Sequence, residues 1–570
     1  MKLPAACLCV LVVGCGDDSA PRHISLEDVT AQSGVAMSTT CGSETPTQLL
    51  EVNGSGLGLL DADGDGDLDL FVANGATMQD PNDGPGWKLF RNESDAQTIR
   101  FSDMTESSGV GLRRWGHAVA VGDANGDGHD DLYVTCVGPN VLLISRGDGG
   151  FDDHTTPAGL GDDRWGTAGR FADLDRDGDL DLVVANYVEF DSSSPPPTAR
   201  YKDQPVYGGP HGMVGQSDVV FEHLDDHTYR DVTADWGFGV PPSHGLNAAV
   251  LDFTGDGAPD VLVGNDSMPN ELFVNDGGFP PTFTPRGIYS GIAGAGDGSM
   301  QATMGIAIAD LNGDDLPDVF TTNFASDTNT LHISSQGEFF DDRTQAWGFG
   351  LPSRPLLGWS CGFFDMDHDG DEDLLAVNGH VYGKATLESM DSRWKQPLLV
   401  MTREGNRFLR TTGEPADDLH VDRAAVFADL DGDTDIDLVV SERSGPVRVL
   451  RNLSIERGAK PGLVITLLQP GANSRGLGAI IRLIQAGRVI ATRWMHDGLG
   501  FQSSTAPFAH FGRIPRGSVL EVVWPDGTTQ RATPRQGHQI IERSEGSENP
   551  IPGIAKPRND VAPIVEPVVK

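Results

Sequence analysis

An aspartate-rich nonapeptide recurs seven times along this chain, each copy set between two short apolar runs. The copies are DADGDGDLD (61–69), DANGDGHDD (123–131), DLDRDGDLD (173–181), DFTGDGAPD (252–260), DLNGDDLPD (310–318), DMDHDGDED (365–373) and DLDGDTDID (429–437). Their starts lie 50 to 79 residues apart. One motif per period marks a repeat fold, which is also how 570 residues avoid the size limit of a single ordinary core.

The flanks say what kind of repeat. AVAVGD, GRFADLD, AAVLDF and GIAIADL precede the motif, and LFVAN, LYVT, LVVAN, VLVGN and LLAVN follow it. Continuous apolar, β-branched runs of this length read as strands buried on both faces. Third runs (KLFRN, VLLIS, ELFVN, VRVLRN) and fourth ones (FSDMT, FDDHT, YRDVT) complete four strands per repeat, the unit of a propeller blade. The expected fold is therefore all-β: a seven-bladed β-propeller over 24–453, followed by a small β-rich module over 458–543. A closed ring leaves few exposed sheet edges. The last repeat stops at VRVLRN without a fourth strand, and the orphan segment Ile24–Thr30 (ISLEDVT) has the fourth-strand pattern. The N-terminal segment is expected to close the seventh blade.

Positions one, three, five and nine of each motif carry oxygen side chains. In chain order these are Asp61, Asp63, Asp65 and Asp69; Asp123, Asn125, Asp127 and Asp131; Asp173, Asp175, Asp177 and Asp181; and Asp252, Thr254, Asp256 and Asp260. The last three sets are Asp310, Asn312, Asp314 and Asp318; Asp365, Asp367, Asp369 and Asp373; and Asp429, Asp431, Asp433 and Asp437. That is 25 carboxylates in 28 positions. Two carboxylates about 4 Å apart repel by roughly 4 kcal/mol at an effective dielectric of about 20, so such loops call for a cation. All-oxygen donors without His or Cys favour Ca²⁺. The first half resembles an EF-hand loop, but position twelve is apolar (Val72 in the first copy) and a strand follows, so the site is strand–loop–strand. Three loops depart from the ideal: Thr254 stands at position three of the fourth, and Asp315 and Thr434 replace the turn glycine at position six of the fifth and seventh.

The formal net charge of −42 disfavours nucleic acid and anionic lipid surfaces. Residues 1–15 (MKLPAACLCVLVVGC) combine Lys2 with a short apolar stretch, too short to span a bilayer. Val12-Val13-Gly14-Cys15 resembles a bacterial lipobox, which makes Cys15 the expected lipidated residue; an ordinary cleaved signal is the alternative. The expected location is extracytoplasmic, as an outer-membrane or cell-surface lipoprotein or in the periplasm, with the lipid as the sole membrane contact. Cys41, Cys136 and Cys361 then remain, too few and too scattered for a disulfide framework, and Cys136 and Cys361 lie beside strand-like runs as buried thiols.

The repeats resemble FG-GAP (VCBS) repeats, the blades of the integrin α-subunit head. NSRGLGAIIRL (473–483), DGLGFQSS (497–504), FAHFG (508–512) and VLEVVWPDGT (519–528) resemble the ASPIC/UnbV domain, which together with the repeats makes the chain similar to the cartilage-acidic-protein-like family. That resemblance implies calcium binding and extracellular interaction rather than a reaction. Members of that family often carry Cys near the YGGP stretch, where this chain has Gly208. Asn473 and Gln502 read as ligand-binding or, more simply, turn-defining residues. Residues 544–570, Pro-rich and polar, read as a disordered tail.

Trp115, His117, Trp165, His244, Met304 and Trp359 precede inner strands at matching positions and should gather at one mouth of the ring. His117 and His244 would serve there as base or ligand, or the aromatics simply plug the channel. The insertion DSSSPPPTARYKDQPVYGGPHG (191–212) is read as a long loop between the third and fourth repeats, and such loops often carry binding. No P-loop, H-E-x-x-H or C-x-x-C-H is present. The function expected is calcium-dependent interaction or adhesion through a protein or glycan ligand. An enzyme acting on polysaccharide or peptide at the channel mouth, or a plain surface scaffold, are the alternatives.

Overall fold

The computed structural model describes residues 24–224, 227–238, 241–335, 337–383 and 393–544. The expected lipobox and the tail from 545 onward lie outside these residues. Strands dominate, and the α-helices are single turns such as Thr105–Ser108 and Thr155–Ala158. Among the described residues no helix is long and apolar enough to cross a membrane.

Seven sheets each carry four antiparallel strands in meander order. In every one the motif loop joins the first strand to the second, and the residue before motif position one pairs with position nine: Leu60 with Asp69, Gly122 with Asp131, Ala172 with Asp181, and so on to Ala428 with Asp437. The second strands are wholly buried, as in Asp131–Cys136 and Asp181–Asn186. This is why their sequences run apolar without alternation.

The first strands touch one another in cyclic order. Gly56–Leu60 packs on Gly116–Gly122, that on Gly166–Ala172, then Gly245–Leu251, Ile306–Ala309, Gly358–Phe364 and Asp422–Ala428, which returns to Gly56–Leu60. The arrangement is propeller-like. The closure sits where the sequence led one to expect it. Leu26–Asp28 pairs antiparallel with Val447–Asn452, matching Leu26 to Asn452 and Asp28 to Leu450. The Val29 amide donates to Val449 O at 2.9 Å and the Leu453 amide to Ser25 O at 2.8 Å.

The 191–212 insertion is placed differently from expectation. It lies inside the third sheet, between the strands Asp181–Asn186 and Val219–Leu224. The insertion thus interrupts that sheet between its second and third strands. Within the insertion a small hairpin, Ala199–Tyr201 with Gln204–Val206, folds back on the ring. At Gly208 an added Cβ would lie 2.2 Å from Pro197 O, so backbone packing leaves no room for a side chain there. Cys41, Cys136 and Cys361 are free and buried.

The C-terminal module has two sheets. Leu463–Leu468 lies between Ala509–Phe511 and Gly537–Glu542, and Ile480–Gln485 lies between Arg488–Trp494 and Val519–Val523, the last of which also pairs with Thr529–Ala532. Leu463, Ile465, Ile481, Leu520, Val522 and Trp524 form its core. One piece leaves the module: Ser504–Thr505 runs parallel to Gly58 and Leu59 as a fifth strand of the first sheet.

Candidate metal loops and the ring axis

The seven loops share one backbone. Positions four and six both sit in the left-handed region in every copy, from Gly64 (φ 76°) and Gly66 (φ 95°) to Gly432 (φ 78°) and Thr434 (φ 81°). Sequence reasoning singled out position six alone. Four of the fourteen residues are not glycine: Arg176, His368, Asp315 and Thr434. Thr434 is β-branched, for which this conformation is costly. Contacts to the module hold it there: its Oγ1 accepts from the Gly462 amide at 2.8 Å, and its carbonyl lies 3.2 Å from His510 Nε2.

The four motif positions have distinct tasks. Position one cradles the turn, Asp252 accepting from the amides of Gly255, Asp256 and Gly257 at 2.7 to 3.1 Å. Position five accepts from the amide two residues on, as Asp177 does from Asp179 at 3.1 Å. Position nine is a clasp. One oxygen takes the amide of position two and the other takes an amide of the third strand. In the third sheet Asp181 holds Leu174 N at 3.0 Å and His223 N at 3.0 Å; in the fifth, Asp318 holds Leu311 N and Ser334 N, both at 2.7 Å. The same pair of bonds recurs at Asp69, Asp131, Asp260, Asp373 and Asp437. Position nine thus ties each loop to its sheet, and each oxygen keeps a lone pair for an ion.

Carboxylate oxygens converge in the first, third, sixth and seventh loops. Within each of the groups Asp61, Asp63 and Asp65; Asp173, Asp175 and Asp177; Asp365, Asp367 and Asp373; and Asp429, Asp431 and Asp437, one oxygen from each lies within 4.8 Å of the others. Burial pushes Asp69 up to about 7, with the Asp63 and Asp65 charges adding to it against its two amide donors. Burial likewise lifts Asp173 to about 7, Asp252 and Asp310 to about 6, and Asp365 to about 8. In a metal-free loop these buried carboxyls therefore hold protons near neutrality, which suits a site whose charge a divalent ion would otherwise balance. Another acidic group, His420 with Asp422 and Glu442, is accounted for by ion pairs: His420 Nδ1 to Glu442 at 2.6 Å and Arg448 forked on Asp422 at 2.8 and 2.9 Å.

Basic side chains reach some loops, and the sequence reading missed them. Arg91 lies 2.8 Å from Asp63 and 2.9 Å from Asp65. Arg451 lies 2.6 Å from Asp431 and 3.1 Å from Asp433. From the C-terminal module come Arg475 to Asp130 (3.2 Å), Arg482 to Asp315 (2.7 Å) and His538 to Asp429 (2.7 Å), and Arg493 pairs with Glu372. The hydrogen bond to Asp429 raises the His538 pKa, with burial opposing. The module therefore sits on the loop face of the ring as a basic lid over acidic loops.

The module also enters the axis. Phe501 is fully buried and packs on Trp359, ring centres 4.8 Å apart. The Val119 amide donates to Gln502 O at 3.2 Å and Val121 N to Ser504 Oγ at 2.9 Å. Arg170, also buried, donates to Ser503 O (3.0 Å), Gly500 O (3.2 Å) and Ala248 O (2.8 Å). From the opposite side Leu49, Leu50 and Val52 join the same apolar cluster, as do Tyr187, Tyr207 and Met213 of the insertion region. The aromatics gather as expected: His117 lies 5.7 Å from Trp165 and 6.3 Å from Trp115, and His244 lies 6.2 Å from Tyr187. Burial drives the His117 pKa down to about 3, so this imidazole is neutral and enclosed, which suits a plug better than a base. Asn473 is turn-defining: its side chain bonds Leu477 N and Leu477 O, both at 2.8 Å. Gln502 lies inside the axis, fully buried.

A family model described as FG-GAP-like repeat matches residues 61–134, 125–184 and 252–321, and one described as ASPIC and UnbV matches residues 469–550. Cartilage acidic protein 1 of Xenopus tropicalis is 26% identical over 366 residues, covering 62% of this chain and 51% of that protein. The protein of the same name from Homo sapiens is 26% identical over 308 residues, covering 52% and 43%. The chain spans about half the length of the curated relatives it matches. A solved Agrocybe aegerita lectin, described as recognising non-reducing terminal N-acetylglucosamine, aligns over 70% of this chain and 90% of its own at 14% identity and TM-score 0.35. The chain thus carries FG-GAP-like repeats and an ASPIC/UnbV domain, and is distantly homologous to cartilage acidic protein 1.

Proposed function

We propose that the chain is a calcium-stabilised, seven-bladed β-propeller that acts outside the cytoplasm as an interaction protein for a protein or glycan ligand. The carrying observation is the third loop. Asp173, Asp175 and Asp177 bring three oxygens within 4.8 Å of one another, and among the described residues no basic side chain forms an ion pair with any of them. Hard oxygens at that spacing suit calcium, whose bonds to oxygen run about 2.3–2.6 Å. Asp365, Asp367 and Asp373 bring three oxygens together within the same distance. The loops with Asn125, Thr254 or Asn312 at position three would bind with one carboxylate fewer.

Among the described residues seven sheets in cyclic contact, each with four antiparallel strands, support the blade number. The net charge of −42 argues for a partner other than nucleic acid, and the FG-GAP match fits a propeller of the interaction kind. The lipobox-like Val12–Cys15 supports a lipid anchor on Cys15 at the outer membrane or cell surface. A Cys15→Ala chain should then leave the membrane fraction or remain uncleaved.

The test of the calcium reading is metal analysis paired with thermal unfolding. Calcium should co-purify in several equivalents, and excess EGTA should lower the melting temperature by several degrees. An unchanged melt after verified removal of calcium sinks the reading. Pull-down from native envelope with and without EGTA tests for a calcium-dependent ligand.

A further inference from the structure

In each sheet the third strand gives one backbone amide to the position-nine carboxylate, and the residue just before that amide stands beside the loop. In five sheets that residue is Ile144, Glu222, Val274, Ile333 or Thr402, none of which carries positive charge. In the first and seventh sheets it is arginine, Arg91 and Arg451.

The two arginines differ in burial. The Arg451 side chain is 8% exposed, against Asp431 at 0% and Asp433 at 7%. Its Nε lies 2.6 Å from Asp431 Oδ2 and its Nη2 3.1 Å from Asp433 Oδ2; Nη2 also donates to Ala96 O at 3.2 Å, and Glu456 closes the outer side. The other acids of this loop are engaged too. Asp429 meets His538 Nε2 at 2.7 Å, Asp435 meets His368 Nε2 at 3.1 Å, and Asp437 holds two backbone amides. Arg91 spans the equivalent Asp63 and Asp65 at 2.8 and 2.9 Å but is 45% exposed.

We propose that the seventh loop is filled by the chain's own guanidinium and takes no calcium, while the first loop is a calcium site that Arg91 must vacate. This rests on the calcium reading of the remaining loops. A calcium ion must sit about 2.3–2.6 Å from the oxygens of positions three and five. In the seventh loop a guanidinium already bonds Oδ2 of both of those carboxylates, and two cations cannot share that space. Moving Arg451 away would break short charge-assisted bonds and strand a buried charge. Arg91 has solvent to swing into. The convergence of Asp429, Asp431 and Asp437 then reflects a fixed internal cation, and the ring is locked at its closing sheet whether or not calcium is present.

The experiment counts calcium on the full chain, stripped and then saturated, by elemental analysis alongside thermal unfolding. Asp175→Asn should lose one equivalent, and Asp431→Asn should lose none. Arg451→Gln should gain one equivalent over the parent and acquire a larger calcium-dependent rise in melting temperature. If Asp431→Asn loses an equivalent, or Arg451→Gln folds and binds the same number as the parent, the assignment of the seventh loop is overturned while the calcium reading stands. If the parent binds none, both fall. Should Asp431→Asn fail to fold, the Arg451→Gln count decides alone.

Discussion

At the scale of single residues, the aspartates of one loop divide into those that build it and those that charge it. Asp181 holds two buried amides, Leu174 N and His223 N, and is itself buried. Asp181→Ala leaves both donors without a partner, each costing about 1–3 kcal/mol. Loss of about 2–6 kcal/mol is expected in denaturant unfolding, in EGTA as well as in calcium. Asp175 accepts one amide, Asp177 N at 3.2 Å. Asp175→Ala should therefore cost stability mainly when calcium is present. Equal losses for the two variants in EGTA would contradict this division. The pH dependence follows from the same residues. Asp69 and Asp173 stand near 7 in the folded chain because burial disfavours their charge, against about 3.9 unfolded. A folded pKa above the unfolded one means the folded state binds more protons between the two values. Stability from these groups is full below about 4 and is lost as pH rises through about 7. The calcium-free chain should thus melt higher at pH 5.5 than at pH 8. Calcium replaces the protons, so its effect on melting should be larger at pH 8. A calcium-free melt that rises from pH 5.5 to 8 contradicts the assignment.

At the scale of elements, the outer strand of the seventh sheet is supplied by the start of the chain rather than by the seventh repeat. The Val29 amide bonds Val449 O, the Val449 amide bonds Thr30 Oγ1, and Leu26 and Val29 are buried. Hydrogen exchange should find the Val29 amide protected as strongly as those of Val447–Asn452. Deleting residues 24–30 should expose that edge and make the chain first cleavable near 429–452. Fast exchange at Val29 beside slow exchange in its partner strand would show the ring closing another way. This closure was legible because the ISLEDVT pattern is local, as were the loops and the four apolar runs of each repeat. The insertion was misplaced because only repeat spacing located it, and spacing cannot tell an interrupted sheet from a boundary between sheets. The cations on the loops were half legible. Arg91 and Arg451 stand in matching RN pairs that close KLFRN and VRVLRN, whereas Arg475, Arg482 and His538 act across the module boundary, where no sequence period connects them to a loop.

At the scale of the whole molecule, ring and module share one interior, and nothing local in the sequence announces it. DGLGFQSS reads as a turn, yet Ser504 bonds the Val121 amide 383 residues away and Phe501 sits in the axial cluster with Trp115, Trp165, Met304 and Trp359. The module's loop also serves Arg170. That guanidinium is buried, its pKa lowered by desolvation, and Asp497 lies beside it at 4.0 Å. Much of its charge is satisfied by carbonyls, two of which, Gly500 O and Ser503 O, belong to the module. Removing the module would leave an arginine short of acceptors in an apolar axis, an arrangement that costs several kcal/mol. The full chain should accordingly unfold in one cooperative transition, with calorimetric and van't Hoff enthalpies agreeing better than two independent domains allow. Phe501→Ala probes the coupling at its centre. Truncating a fully buried phenylalanine costs about 3–5 kcal/mol, and because Phe501 packs on Trp359 of the ring, the loss should lower the melting of ring and module together. Separate transitions in the parent, or a Phe501→Ala chain in which the module loosens while the ring melts unchanged, would show that the module rests on the ring without closing it.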